Sequence, residues 1–171
     1  FCTPGGYIYV YTGLIKYLDS EDQLAGVMAH EIAHADRRHS MKQMMKMYGV
    51  QMLVAIGAQA VASKQGETGQ QATVTIAQLA GSLIGLSFSR DHETDADNHS
   101  VEYLCGTEYH SAGAAGFFEK MGNAGSPPQF LSTHPNPTNR VANIKSQAQQ
   151  KTCRGNEKFV ERYQRIKALV R

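Results

Sequence analysis

The order of apolar and polar positions divides the chain into a short β-rich start followed by a series of helices. Residues FCTPGGYIYV (1–10) put turn chemistry at Pro4-Gly5-Gly6 ahead of the β-branched and aromatic run Tyr7-Ile8-Tyr9-Val10, which predicts strand, turn, strand. Thr12-Gly13-Leu14-Ile15 opens a short helix. Ser20 is a helix N-cap with Gln23 as its capping-box partner, and Glu21 and Asp22 suit the positive end of the helix dipole. Apolar residues then recur at Leu24, Val27, Met28, Ala29, Ile32, Ala33 and Ala35. This spacing predicts a helix from Glu21 to about His39, with continuation through Lys46 left open.

Two uncharged stretches follow, Met47 to Ser63 and Gly69 to Ser89, the second holding Gly81-Ser82-Leu83-Ile84-Gly85. A GxxxG spacing suits close helix approach in membranes. Gln51, Gln59, Gln70, Gln71 and Gln78 interrupt both stretches, leaving apolar cores shorter than the ~20 residues a spanning helix needs. A buried helical hairpin is therefore expected, with membrane contact as the lesser reading and no spanning helix. Helices are also expected over Ser89 to Tyr103 and Ser111 to Met121. The Pro- and Gly-rich loop 122–140 comes next, then a helix opened by Asn136-Pro137 and running to about Gln149. A last amphipathic helix spans Glu157 to Val170. The fold class is α+β, mostly helical, with a small N-terminal sheet.

Composition bounds the picture. The 171 residues suit one domain, and 42% hydrophobic with 19% charged is globular composition. The net charge of +2 hides an asymmetry. From Arg140 onward nine Lys/Arg face only Glu157 and Glu161, whereas the preceding residues are acidic on balance. A basic C-terminal helix folding back onto an acidic body explains this better than an acidic docking partner. No aromatic stacking pattern accompanies the charge, so nucleic acid is not an expected partner. The chain opens at Phe1 without a signal-peptide pattern, so it reads as a segment excised from a longer precursor whose address label lies elsewhere. Of three cysteines, Cys2 and Cys153 are candidates for a bridge in an oxidising compartment, and Cys105 reads as a buried thiol; three free thiols is the alternative.

The chemistry lies at His30-Glu31-Ile32-Ala33-His34, an HExxH sequence inside the capped helix. Residues i and i+4 share a helix face, so both imidazoles can reach one ion, and Glu31 projects from the same turn as a general base for the attacking water. A catalytic zinc site takes three protein ligands. The metzincin solution needs Gly at position 37 and His at position 40, where this chain has Arg37 and Ser40. A later carboxylate must serve instead. Glu93 is the candidate ligand, and Asp97, four residues on, would accept from a ligating His and fix its tautomer. Asp91, His92, Asp95 and His99 compete for these places.

The motifs GGYIYVYTGL (5–14), HEIAHADRRH (30–39), SRDHETDAD (89–97) and THPNPTNR (133–140) together resemble the HtpX-like and CAAX-prenyl-endopeptidase-type zinc metalloproteases, which are gluzincins. The resemblance implies a zincin-like domain over 1–171 with one Zn2+ held by His30, His34 and Glu93. It also implies Glu31 as general base and Asp97 as the orienting carboxylate; His39 matches a recurring family His, and its place more than a helical turn beyond the metal makes it a structural residue. The family's His-Pro-Pro turn and following Arg correspond to His134-Pro135-Asn136-Pro137 and Arg140, with Asn136 as the departure. By resemblance His134 or Arg140 donates to the oxyanion, or His134 occupies the water position and silences the site. The shortened, polar interval between HExxH and Glu93 resembles soluble envelope members of the BepA type. The expected function is a metalloendopeptidase acting on unfolded or misassembled protein or peptide in the bacterial envelope or periplasm, with extended substrate pairing along Tyr7 to Val10. The rival is a zinc-bound chaperone or assembly scaffold with a latent or blocked site.

Overall fold

A computed structural model describes residues 2–3, 5–46, 87–124, 133–135 and 139–170. The helices are α1 (Thr12–Tyr17), α2 (Glu21–Asp36), α3 (Arg90–Cys105), α4 (Gly113–Ala124), α5 (Arg140–Gln150) and α6 (Val160–Lys167). Helix α2 packs against α3 and α4, and α5 lies across both of these. The expected hairpin over 47–89 and the proposed start at Asn136-Pro137 fall outside the described residues, except for 87–89. No helix among the described residues is long and apolar enough to cross a membrane.

The expected N-terminal sheet is not present as strands among the described residues. One antiparallel bridge, Cys2↔Ile8, closes the turn around Gly5 and Gly6, whose φ values of 98° and 84° require glycine. Tyr7 and Tyr9 are largely exposed.

Helix α2 starts at Glu21 as its sequence dictates, but its cap is not the expected box. The Gln23 side chain accepts from Asp19 N at 2.9 Å, and the Ser20 hydroxyl turns to Asp22. The carbonyl of Lys158 accepts from the Glu21 and Asp22 amides instead. At its other end α2 stops at Asp36, short of the expected His39. Arg38 adopts φ 54°, an uncommon conformation for a non-glycine residue, and helical backbone resumes over 39–46.

The core gathers Leu18, Val27, Val101, Phe117, Phe118, Met121 and Ile144, with Tyr163 from α6. Helices α2 and α4 meet backbone to backbone, since a Cβ on Gly26 would sit 2.1 Å from Ala114 N. The basic tail folds back as expected. Arg162 clamps Glu21 through two 2.6 Å bonds, and Tyr163 donates to the Ile15 carbonyl at 2.9 Å. Only Tyr163 of the α6 apolar side is buried; Ile166 and Leu169 face outward.

The cysteine reading is corrected. Cys105 pairs with Cys153, and Cys2 is free. The reason is local pairing of two segments remote in sequence. Arg154 N donates to Cys105 O, Glu157 N donates to Glu108 O, and Tyr109 bridges Glu157, so the two cysteine Cα atoms lie 4.4 Å apart.

Candidate metal centre

The i, i+4 spacing on α2 stacks the His30 and His34 rings edge to face, with their Nε2 atoms 3.0 Å apart. Glu93 enters from the first turn of α3, which Ser89 caps by accepting from His92 N. Its Oε1 lies 3.3 Å from His34 Nε2 and its Oε2 3.4 Å from His30 Nε2. The donor atoms of His30, His34, Glu93 and His134 all lie within 4.8 Å of one another, and all four residues are buried. No other such group occurs among the described residues, so Asp91, His92, Asp95 and His99 stand outside it.

His134 follows α4 in the sequence, within the described residues 133–135. Its Nδ1 lies 3.0 Å from Glu93 Oε1, and its Nε2 lies 3.5 Å from Glu31 Oε1. Thr133, beside it, is tied to the α3 approach by Phe88 N donating to its carbonyl at 2.9 Å. The Phe88 ring stacks on His34 at 4.0 Å. Glu31, 3% exposed, therefore faces the same space as the four donors.

Asp97 lies 2.9 Å from His30 Nδ1. Arg140, the first residue of α5, donates to both Asp97 oxygens at 2.7 Å through Nε and Nη2. Its guanidinium lies 3.7 Å over the Phe118 ring and 3.1 Å from Glu93 Oε2. Planar bidentate pairing is what a guanidinium does best. His39 Nδ1 lies 3.0 Å from His34 Nδ1, and its Nε2 lies 3.0 Å from Asp95 Oδ2. Neither Phe88 nor Phe118 is legible in the sequence as a site residue, because nothing in an apolar residue's identity says which ring it will cover.

Burial alone would lower the His30 pKa, but hydrogen bonds donated to Asp97 and Glu93 outweigh it and raise it to about 9. At His34 burial wins over the Glu93 hydrogen bond and pushes the pKa down to about 2. Burial would raise the Glu93 carboxyl, yet the imidazoles around it, His134 and His30 foremost, hold it well below the usual carboxylate range. Burial, with His92 nearby, lowers His39 to about 4 against the pull of Asp95.

These groups fit a divalent metal. With Asp97 engaging Nδ1 of His30 and His39 engaging Nδ1 of His34, both Nε2 atoms are left aimed at each other and at an ionised carboxylate. Without a metal the raised His30 pKa keeps a proton between the two imidazoles and Glu93, and a divalent cation can take that proton's place among the donors. Nitrogen and carboxylate oxygen in this ratio are zinc-type donors.

A family model described as Peptidase family M48 matches residues 1–148. The beta-barrel assembly-enhancing protease of Escherichia coli K12 is 31% identical over 158 residues, covering 88% of this chain and 32% of that protein. Metalloprotease YcaL of the same organism is 26% identical over 142 residues, covering 82% of this chain and 54% of its own length. The mitochondrial metalloendopeptidase OMA1 of Arabidopsis thaliana is 31% identical over 137 residues, covering 79% of this chain and 26% of that protein. The chain thus spans about a third of the assembly-enhancing proteases it matches.

Proposed function

The chain belongs to Peptidase family M48, and from that premise we propose that it is a zinc-dependent metalloendopeptidase cleaving unfolded or misassembled protein. One observation carries the reading. Buried His30, His34 and Glu93 turn their donor atoms on one point, and a buried carboxylate, Glu31, borders it.

In this reading His30, His34 and Glu93 hold the zinc, which when bound polarises the scissile carbonyl and acidifies the attacking water. Glu31 takes the proton from that water and returns it to the leaving amine. Asp97 holds the His30 ring, and Arg140 holds Asp97. With Nε and Nη2 committed to Asp97, Arg140 acts as a clamp, and His134, whose Nε2 lies 3.5 Å from Glu31 Oε1, is the oxyanion donor in this reading. The single peptidase domain over 1–171 is zincin-like, and the Cys2↔Ile8 bridge supports a small N-terminal sheet. Exposed Tyr7 and Tyr9 mark where extended substrate would lie. The Cys105–Cys153 bridge favours an oxidising compartment, consistent with a bacterial envelope.

A second reading, a zinc-bound chaperone or assembly scaffold with a blocked site, is favoured by His134. It joins the donor group as a fourth member, and structural zinc sites close all four positions. Cleavage of casein separates the two. The peptidase reading expects cleavage that chelation abolishes and added zinc restores. Cleavage indifferent to chelation contradicts it. A zinc-loaded chain that is inert until His134→Ala is introduced has a latent site, and inertness in both forms leaves the scaffold.

A further inference from the structure

His39 touches none of the reacting groups, yet it is 1% exposed and its ring bridges a metal-site imidazole and a carboxylate. We propose that His39 is a positioning residue of the metal centre, accepting the Nδ1–H of His34 and donating to Asp95, so that the His34 lone pair stays on Nε2. The inference rests on the assignment of His30, His34 and Glu93 as the metal set.

The direction of the chain of bonds follows from donor and acceptor capacity. The Asp95 carboxylate, fixed by Arg37 Nε at 3.1 Å, can only accept. His39 Nε2, 3.0 Å away, must therefore carry its hydrogen. A neutral imidazole has a single N–H, so His39 Nδ1 is bare and must accept. Across 3.0 Å its partner is His34 Nδ1, which must then carry the hydrogen of that ring. His34 Nε2 is left as a lone pair, and it is the atom that faces His30 Nε2 at 3.0 Å and Glu93 Oε1 at 3.3 Å. The exposed end of the chain thus dictates the tautomer at its buried end.

The backbone is shaped for this contact. On an unbroken helix His39 would stand about 140° around the axis from His34 and could not return to its ring. Helix α2 instead ends at Asp36, and Arg38, itself exposed, takes φ 54° before the backbone turns helical again at 39. Both rings are then fixed by stacking: His92 lies on His39 at 4.5 Å with 14° between planes, and Phe88 lies on His34 at 4.0 Å. Helix α3 consequently supplies three carboxylates to one centre. Glu93 faces the donors, Asp97 reaches His30 directly, and Asp95 reaches His34 through His39.

The test is zinc affinity, measured on the whole chain by competition with a chromogenic chelator. His39→Phe keeps a stacking ring and removes both nitrogens. It should weaken zinc binding by about 10- to 100-fold, the usual effect of losing a partner of a ligating histidine. His39→Gln offers one acceptor and one donor and should recover most of that loss. In the zinc-loaded wild type, ¹⁵N-edited spectra should show hydrogen on His34 Nδ1 and on His39 Nε2. Wild-type affinity in His39→Phe, alongside lost binding in His34→Ala, would overturn the inference and leave the metal set standing. Equal weakening by Phe and Gln would also overturn it, since packing alone would then explain the effect. Unchanged zinc binding in His34→Ala would instead overturn the metal set. Should His39→Phe fail to fold, Asp95→Ala carries the test at a residue that is one-third exposed. Its loss should be smaller, because water can replace the carboxylate, and no loss would refute the proposal.

Discussion

Replacing Arg140 by Met isolates the charge that holds the centre together, because Met roughly conserves volume and suits a helix. In the native chain Arg140 is 3% exposed and makes two 2.7 Å bonds to Asp97, with a 3.1 Å approach to Glu93. Its removal leaves two buried carboxylates sharing the His30 imidazolium as a cationic partner. Breaking a buried ion pair by deleting one partner costs about 3–5 kcal/mol. Loss of the stack on Phe118 falls within that range rather than adding to it in full. A domain of this length loses about 2–4 °C of Tm per kcal/mol, so the metal-free variant should melt about 6–20 °C below wild type. Thermal denaturation followed by circular dichroism measures this. With zinc bound the drop should shrink, since the ion offsets the Glu93 charge. Arg140→Met combined with Asp97→Asn should cost less than the sum of the two singles, by about 0.5–3 kcal/mol. A Tm within about 2 °C of wild type, or strict additivity, would refute the clamp.

Two further outcomes are expected. Replacing Cys105 and Cys153 together by Ala frees a bridge spanning 48 residues, which chain entropy values at about 4 kcal/mol; an unchanged urea midpoint would show that backbone pairing alone holds 153–157 in place. The metal-free chain should be most stable near pH 6–7. His30, raised to about 9, contributes stability that is complete below its ordinary pKa of 6.5 and lost as pH rises through 9. His34, depressed to about 2, contributes stability present above 6.5 and lost as pH falls toward 2. Melting temperatures across pH 4–10, without and with zinc, check both limbs; metal loading should flatten the alkaline fall, and a metal-free curve flat from pH 6 to 10 would contradict the His30 assignment.

The helices that carry chemistry were legible because their signals are local. A Ser cap and a 3.6-residue apolar period announce α2, and i, i+4 spacing announces that His30 pairs with His34 and Glu93 with Asp97. The meeting of His30, His34, Glu93 and His134 joins positions up to 104 residues apart, and in the sequence only the family resemblance implies it, with His134 as one of two alternatives. What stayed hidden depends on the chain's return path. The Lys158 carbonyl replaces the expected capping box at α2, and the Cys105–Cys153 bridge forms because remote segments run side by side. Neither has a local signature. His39 was read as structural because helical arithmetic sends it away from His34. The left-handed turn at Arg38 reverses that, and nothing in an Arg-Arg pair announces a positive φ.

The central claim is that Glu31 is the base of a zinc peptidase, and one paired measurement addresses it most directly: casein cleavage by wild type and Glu31→Gln, with zinc content determined on the same samples. Equal zinc with turnover reduced by at least about 100-fold in the variant is the expected result. Cleavage near the wild-type rate by Glu31→Gln at full zinc content would contradict it.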